Sequence, residues 1–316
     1  MKLTFKRLFL FFSPFILITF LIVLVDPYNL FDISHLFKDE TKIMCLNRTD
    51  ATSPRGNLLW RTINFQRNPT PNILLGTSRM GEISDQSLGK YFGGKATNLA
   101  FGGSNYKVII DLFWMAANTT KLENVIIQAE FNTYNALANS NLYEPAKKII
   151  DKPLKYFLNA DIVGDTFAVL YYSITKNQQF VRRSYKYKVG NLNGTDKYLL
   201  NGFFQGTIYP EEYHKELVKI SEFCRKENIN LIFFIAPDYV EVPNYLKNNN
   251  MEKDYDRFRS DIFGLGNTID QNHGIPFSFN KENYLDFFHV KFELTDTLLA
   301  MIFKSDQIDR YFKKQK

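Results

Sequence analysis

Short apolar runs, each halted by glycine, proline or polar residues and separated by helix-length stretches, constrain this chain more than any other feature. Asn72 to Leu75 ends at Gly76, Ala96 to Phe101 at Gly102 and Gly103, Val125 to Ala129 at polar residues, and Leu231 to Ile235 just before Pro237. Unalternated runs of this length are strands buried on both faces, and spacers such as Tyr106 to Ala117 and the amphipathic Glu211 to Lys226 supply crossover helices. The pattern predicts an α/β fold with a mostly parallel sheet. A last helix from Asp296 to Phe303 is apolar at Leu298, Leu299, Met301 and Ile302, with Thr295 placed to cap it.

Ahead of the sheet lies a different kind of sequence. Lys2, Lys6 and Arg7 precede the stretch Leu8 to Val25, broken only by Ser13, Pro14 and Thr19 and closed by Asp26 and Pro27. Such a stretch is just long enough to span a bilayer as a helix. Basic residues on its N-terminal side orient the N-terminus to the cytoplasm, and the lack of a small-x-small cleavage site favours a retained signal-anchor. The expected organisation is therefore a cytoplasmic tip and transmembrane segment over 1–26, a connecting segment over 27–70, and a catalytic domain over 71–316. That places a single-pass protein in the inner or plasma membrane, with its domain periplasmic or extracellular. The connecting segment carries Pro27, Pro54, Pro69 and Pro71, with one helix around Leu58 to Phe65. Between the third and fourth strands the βα rhythm disappears in a stretch rich in Tyr and Lys, which reads as a helical or irregular insertion over about residues 140–210.

Composition narrows the function classes. The net charge of +6 over 316 residues is spread along the chain, which suits work beside an anionic lipid or polymer better than nucleic-acid binding. The two cysteines, Cys45 and Cys224, stand far apart in no metal-ligand spacing, so neither a zinc site nor a disulfide framework is written here. Cys224 falls on the apolar face of a helix with Leu217 and Ile220. A single bridge to Cys45 stays open outside the cytoplasm.

In an open parallel sheet ligands gather at the carboxyl ends of the strands, so the residues following each run are the ones to inspect. The first run is followed by Gly76-Thr77-Ser78-Arg79, a glycine allowing a sharp turn and then a hydroxyl where a helix would begin. The second is followed by Gly102-Gly103-Ser104-Asn105 and the third by Glu130-Phe131-Asn132-Thr133-Tyr134-Asn135. Asp286-Phe287-Phe288-His289 stands just before the final helix. A serine hydroxyl needs a base to become a nucleophile, and an imidazole needs a carboxylate to fix its tautomer. Ser78, His289 and Asp286 supply those three roles. All four histidines have a carboxylate three residues before them, but His289 alone has two aromatic residues, Phe287 and Phe288, between the pair and stands just before the last helix; His35, His214 and His273 lie in less telling settings. Each piece also has a plainer use. Ser78 could cap a helix, Asp286 and His289 could form a loop ion pair, the glycine pair could be turn chemistry, and Asn132 could cap the next helix.

Taken in order, these blocks resemble the SGNH (GDSL-like) hydrolases and acyltransferases. Gly76-Thr77-Ser78 resembles the first block, with Ser78 in the nucleophile position. Asn98-Leu99-Ala100-Phe101-Gly102-Gly103 resembles the second, Asn-x-x-x-x-Gly, and Asp286-Phe287-Phe288-His289 the last, Asp-x-x-His. The third is similar to Val125 through Asn132, a strand followed two residues later by Asn. Departures are Thr77 and Arg79 around the serine, and Glu130 and Thr133 where the family usually has Gly and Asp. The resemblance covers residues 72–135 and 229–303. It implies a flavodoxin-like three-layer α/β/α sandwich and a serine esterase or acyltransferase with Ser78, Asp286 and His289 as triad. The Ser78 amide, Gly103 and Asn132 would form the oxyanion hole, with Asn135 as substitute for Asn132. Arg79, Asn105 and Asn135 are candidate substrate contacts, and no cofactor or metal is implied.

Among SGNH proteins, a signal-anchor before the domain is similar to D-alanyl transfer and polysaccharide O-acetyltransferase proteins. That implies an envelope polysaccharide or polyol polymer as acyl donor or acceptor, a membrane-bound acyltransferase as a further partner, and no nucleic acid. Two other readings stand beside it: a tethered lipase or small-ester hydrolase with an apolar acyl tunnel, and a catalytically silent scaffold in which Ser78 and His289 lie too far apart to bond. The basic run Arg182 to Lys188 could line a groove for an anionic polymer or be a solvated face. A nucleotide-binding domain fails on residues, since no G-x-G-x-x-G and no Walker lysine follow the first strand.

Overall fold

The computed structural model describes residues 2–46, 57–181, 197–204 and 206–304. The elements begin with helices α1 (Lys2–Val25), α2 (Asp39–Cys45) and α3 (Asn57–Arg67), followed by β1 (Asn72–Leu75), α4 (Asp85–Phe92), β2 (Ala96–Asn98), α5 (Tyr106–Thr119) and β3 (Asn124–Ala129). Helices α6 (Tyr143–Asp151), α7 (Leu154–Phe157), α8 (Ala160–Thr175), α9 (Lys197–Phe204) and α10 (Glu211–Lys226) fill the long gap before β4 (Asn230–Ile235). The chain continues through α11 (Glu241–Asn248), α12 (Glu252–Leu265), β5 (Asn267–Asp270), α13 (Pro276–Phe279) and α14 (Thr295–Phe303). These fall into two compact units, one of Met1–Arg67 with Leu142–Lys186, the other of Asn68–Asn141 with Tyr187–Lys316.

The first unit is helical and joins segments that the sequence suggested were an anchor, a linker and part of an insertion. Its organising residue is Asp26. The carboxylate is fully buried and accepts the backbone N–H groups of Leu30, Phe31 and Asp32 at 2.8 Å each, and the Tyr156 hydroxyl at 3.0 Å. Tyr156 in turn accepts from the Tyr28 amide at 3.1 Å, and the Tyr28 hydroxyl donates to Asp165 at 2.7 Å.

This arrangement corrects the expected anchor. No helix among the described residues is long and apolar enough to cross a membrane. The carboxyl end of α1 belongs instead to a protein core: Ile22 and Val25 are fully buried, and Val25 packs with Cys45, Ala168 and Val169. The expected single-pass topology, and the extracytoplasmic placement that rested on it, do not hold. Cys45 and Cys224 are both buried thiols, so the bridge between them is not formed, and burial pushes the Cys224 thiol up to about 12.

The second unit is a parallel five-stranded sheet in the order β2-β1-β3-β4-β5. All residues of β1 and β3 are buried, as expected for central strands written as unalternated apolar runs, while the edge strand β2 is shorter. A row of asparagines fixes the register. Asn72, Asn124 and Asn230 open three adjacent strands as direct partners, Asn124 donating to Asn72 at 2.6 Å and Asn230 to Asn124 at 3.0 Å. On one face Leu74, Ile126, Ile232, Phe234 and Ile269 pack with Leu88 of α4 and with Leu298, Leu299 and Ile302 of α14. Helices α5, α10 and α12 form the other layer, burying Leu112 and Phe113, Leu217 and Ile220, and Phe258 and Ile262. Each such fully buried side chain contributes about 1.5–3 kcal/mol.

The result is the expected α/β architecture with three differences. The second run yields only Ala96–Asn98 as strand, a fifth strand Asn267–Asp270 lies beyond the predicted ones, and Thr295 is the first residue of α14 rather than its cap, its hydroxyl donating to Phe292 O at 2.9 Å. The basic run Arg182 to Lys188 and Pro54 lie outside the described residues. Because β2 and β3 flank β1 on opposite sides, the strand order reverses at β1 and β3. Their carboxyl ends open the crevice in which such sheets place a site.

Candidate active site

Ser78 follows β1 at that crevice. Gly76 makes the approach possible, since a Cβ there would lie 2.7 Å from Gln128 Oε1 and 2.9 Å from Gln128 Cβ. The following residues form a turn, with Met80 N donating to Thr77 O and Gly81 N to Ser78 O, both at 3.2 Å. The helix-cap use of Ser78 is therefore excluded, because α4 starts later and Ser84 caps it, accepting from Ser87 N at 3.0 Å. Asn98, at the end of β2, ties the turn down by donating to Met80 O at 2.7 Å and Ile83 O at 2.8 Å, while its own oxygen accepts from Ala100 N at 2.9 Å.

His289 and Asp286 arrive on a pinched loop. Tyr284 and Val290 form an antiparallel bridge across its base, Leu285 N donates to His289 O at 2.7 Å, and buried Phe287 and Phe288 anchor it. Ser78 Oγ lies 2.7 Å from His289 Nε2, and His289 Nδ1 lies 2.7 Å from Asp286 Oδ2. Burial pushes the Asp286 carboxyl up, but the hydrogen bonds and charge of His289, with the Phe288 amide, outweigh it and hold the group below its ordinary value. An ionised carboxylate can only accept, so Nδ1 carries a proton, and in the neutral imidazole Nε2 is then the nitrogen that accepts from Ser78.

The remaining candidates divide. Gly102 sits against the nucleophile, where an added Cβ would be 3.8 Å from Ser78 Cβ, and Gly103 has φ +78°, a conformation suited to glycine. Among the described residues the backbone N–H groups of Ser78, Gly102 and Gly103 donate to no protein acceptor. Asn132 is half-buried, its amide makes no hydrogen bond among the described residues, and it lines a cavity of about 10 Å³ with Phe131, Phe204 and Phe288.

Three others are occupied by structure. Asn105 caps α5, accepting from Val108 N at 3.2 Å and donating to Ser140 O at 2.9 Å. Asn135 accepts from the amides of Leu137 and Ile208 at 3.0 Å each. Arg79 is buried and donates to Asp238 Oδ1 and Pro237 O at 2.7 Å each, with Nε 3.6 Å from Glu130 Oε1. The Asn105 amide, the Asn135 oxygen and the Arg79 guanidinium are thus each engaged within the protein.

Arg79 belongs to a buried polar network that sequence reasoning missed. Thr77 Oγ1 donates to Glu130 Oε1 at 2.8 Å, Gln128 Nε2 donates to the same oxygen, and Thr77 N donates to Gln128 Oε1 at 3.0 Å. On the far side Asn272 Nδ2 donates to Asp238 Oδ2 at 2.6 Å and Asp238 N to Asn272 Oδ1 at 3.0 Å. Burial, together with the charge of Glu130, raises the Asp238 carboxyl to about 6 against the opposing pull of Arg79. The signal available was Gln128, a polar residue inside an apolar strand, and Asp238, directly after the fourth run.

No family model and no curated protein matches the chain. Among solved structures it is similar to a provisionally named platelet activating factor from Streptococcus pneumonia, with 11% sequence identity and a TM-score of 0.40 over 78% of this chain and 89% of that one.

Proposed function

We propose that this chain is a serine esterase or acyltransferase of the SGNH type. The observation that carries the reading is the continuous relay from Ser78 through His289 to Asp286, with both contacts at 2.7 Å. A catalytically silent scaffold does not need such a relay.

In this reading Ser78 Oγ attacks an ester carbonyl while His289 Nε2 takes its proton, and Asp286 stabilises the resulting imidazolium. The oxyanion is met by the undirected amides of Ser78 and Gly103 and by the Asn132 side chain. His289 then protonates the departing alcohol, leaving an acyl-Ser78. A second hydroxyl compound, deprotonated by His289, attacks that acyl group and releases Ser78. Water as the acceptor gives an esterase; a hydroxyl of a glycan or polyol polymer gives a transferase.

The test is fluorophosphonate labelling of the purified chain beside Ser78→Ala and His289→Ala, with hydrolysis of 4-nitrophenyl acetate as second readout. Labelling and turnover in the native chain, lost in Ser78→Ala and strongly reduced in His289→Ala, are expected. Labelling that survives removal of Ser78 would falsify the assignment.

A further inference from the structure

We propose that Glu130 is a positioning residue for Ser78, acting through the two residues that flank the nucleophile; the inference rests on the serine-nucleophile reading above. Thr77, directly before Ser78, donates its hydroxyl to Glu130 Oε1 at 2.8 Å. Arg79, directly after, sets its Nε 3.6 Å from the same oxygen. Gln128 closes the arrangement by donating to Glu130 and accepting the Thr77 amide. One carboxylate oxygen therefore gathers contacts from both sides of Ser78. Among the described residues Glu130 makes no bond to Ser78 itself, so its influence passes through its neighbours.

The placement is costly in isolation, which is why it is informative. Thr77, Gln128 and Glu130 are all buried, and a carboxylate withdrawn from water is tolerated only where donors and an opposite charge replace its hydration. An apolar side chain or glycine at this position would avoid that cost, and glycine is what the SGNH resemblance expects. A charged acceptor in these surroundings makes stronger, more directional bonds than a neutral one. Within the turn from Gly76 to Gly81, the Thr77 amide and hydroxyl and the amides of Met80 and Gly81 are all bonded. In that arrangement the Ser78 amide is undirected and Oγ faces His289. Arg79 reinforces it from the other end, because its guanidinium is held by Asp238 and Pro237 O and cannot follow a movement of the turn.

The experiment compares full-length Thr77→Val, Thr77→Ser, Glu130→Gln and the double variant Thr77→Val/Glu130→Gln. Each is followed by the rate of fluorophosphonate labelling, by kcat and KM for 4-nitrophenyl acetate, and by thermal unfolding. Thr77→Val keeps the shape and removes the donor, so labelling slows on the order of tenfold, with the loss in kcat and little change in KM. Thr77→Ser keeps a hydroxyl and recovers most of that rate. If both residues act through one bond, the double variant labels no more slowly than the slower single variant. Should Glu130→Gln fail to fold, the Thr77→Val and Thr77→Ser pair decides alone. Labelling of Thr77→Val at the native rate, or independent losses that multiply in the double variant, overturns the positioning role while leaving Ser78 as nucleophile. A native chain that never labels overturns the nucleophile reading and this inference with it.

Discussion

Asp286 holds His289 twice: one carboxylate oxygen meets the ring at Nδ1, 2.7 Å away, and the other accepts the His289 backbone amide at 2.7 Å and that of Phe288 at 2.8 Å. The three-residue spacing follows from this geometry. A carboxylate that folds the loop back on itself is left with its second oxygen aimed at the imidazole, so loop construction and tautomer selection depend on one side chain.

Asp286→Asn separates the two roles. The amide oxygen can still accept the loop amides, but the NH₂ now faces Nδ1 and favours the tautomer with its proton on Nε2, which cannot accept from Ser78. Hydrolysis of 4-nitrophenyl acetate is expected to fall by about 10³–10⁴ in kcat, by analogy with other serine triads, with circular dichroism unchanged. Asp286→Ala loses the loop contacts as well, so it lowers the thermal midpoint in addition to the rate. A midpoint unmoved in Asp286→Ala would show that the loop does not depend on this carboxylate.

How much of this could be read from the chain itself varied with the range of the interaction. The nucleophile turn, the glycine pair and the Asp-x-x-His loop were legible because each is a local motif attached to an apolar run that marks its place at the sheet edge. Asn105 and Asn135 looked equally available, since a sequence does not say whether an amide faces a ligand or caps its own backbone. The Arg79 network was hidden for the same reason, its partners Glu130, Asp238 and Asn272 being drawn from three different strand ends. Leu8 to Val25 misled because its apolar residues do not share one fate: Leu8, Phe11, Phe15 and Phe20 are exposed, whereas Ile22 and Val25 are buried. Its carboxyl end meets Cys45, Ala168 and Val169, and the last two are contributed by a helix more than a hundred residues away.

The two site-region carboxylates with shifted pKa values should affect stability in opposite directions with pH. Asp286 is held below its ordinary value, so it stabilises above its unfolded-state pKa and loses that contribution as pH falls through its folded one. Asp238 is raised from 3.8 to about 6, so its contribution is fully present below the unfolded value and is lost as pH rises through about 6. Urea unfolding of the native chain and of Asp238→Asn between pH 4 and 7 isolates the second term. On acidification the native chain should gain on the variant by at most about 3 kcal/mol. Parallel curves would mean that Asp238 titrates normally.

Gly76→Ala probes the closeness of the nucleophile turn to β3. The new methyl would fall 2.7 Å from Gln128 Oε1 and 2.9 Å from its Cβ, which cannot both move away because Gln128 is fully buried in the strand. Overpacking of this kind costs about 1–3 kcal/mol and should displace Ser78 along with Thr77. The expected outcome is a lower thermal midpoint together with slower fluorophosphonate labelling at temperatures where the variant is folded. Unchanged labelling in a destabilised variant would separate the packing of Gly76 from the placement of Ser78.

Asp26 offers the corresponding test of the helical unit. If the end of α1 is part of a protein core, this carboxylate is a structural acceptor for Leu30, Phe31, Asp32 and Tyr156, and it is fully buried. Asp26→Ala leaves three backbone donors and a hydroxyl without their acceptor, and each unsatisfied buried donor costs about 1–3 kcal/mol. Tyr156→Phe removes two bonds from the same cluster, the one to Asp26 and the one from the Tyr28 amide, and should cost about 1–3 kcal/mol. Limited proteolysis should therefore cut the Asp26→Ala chain faster within Met1–Arg67 and Leu142–Lys186 than the native chain, with Tyr156→Phe intermediate. Were Asp26 merely the polar boundary of an apolar segment, its replacement by alanine would leave the cleavage pattern as it is.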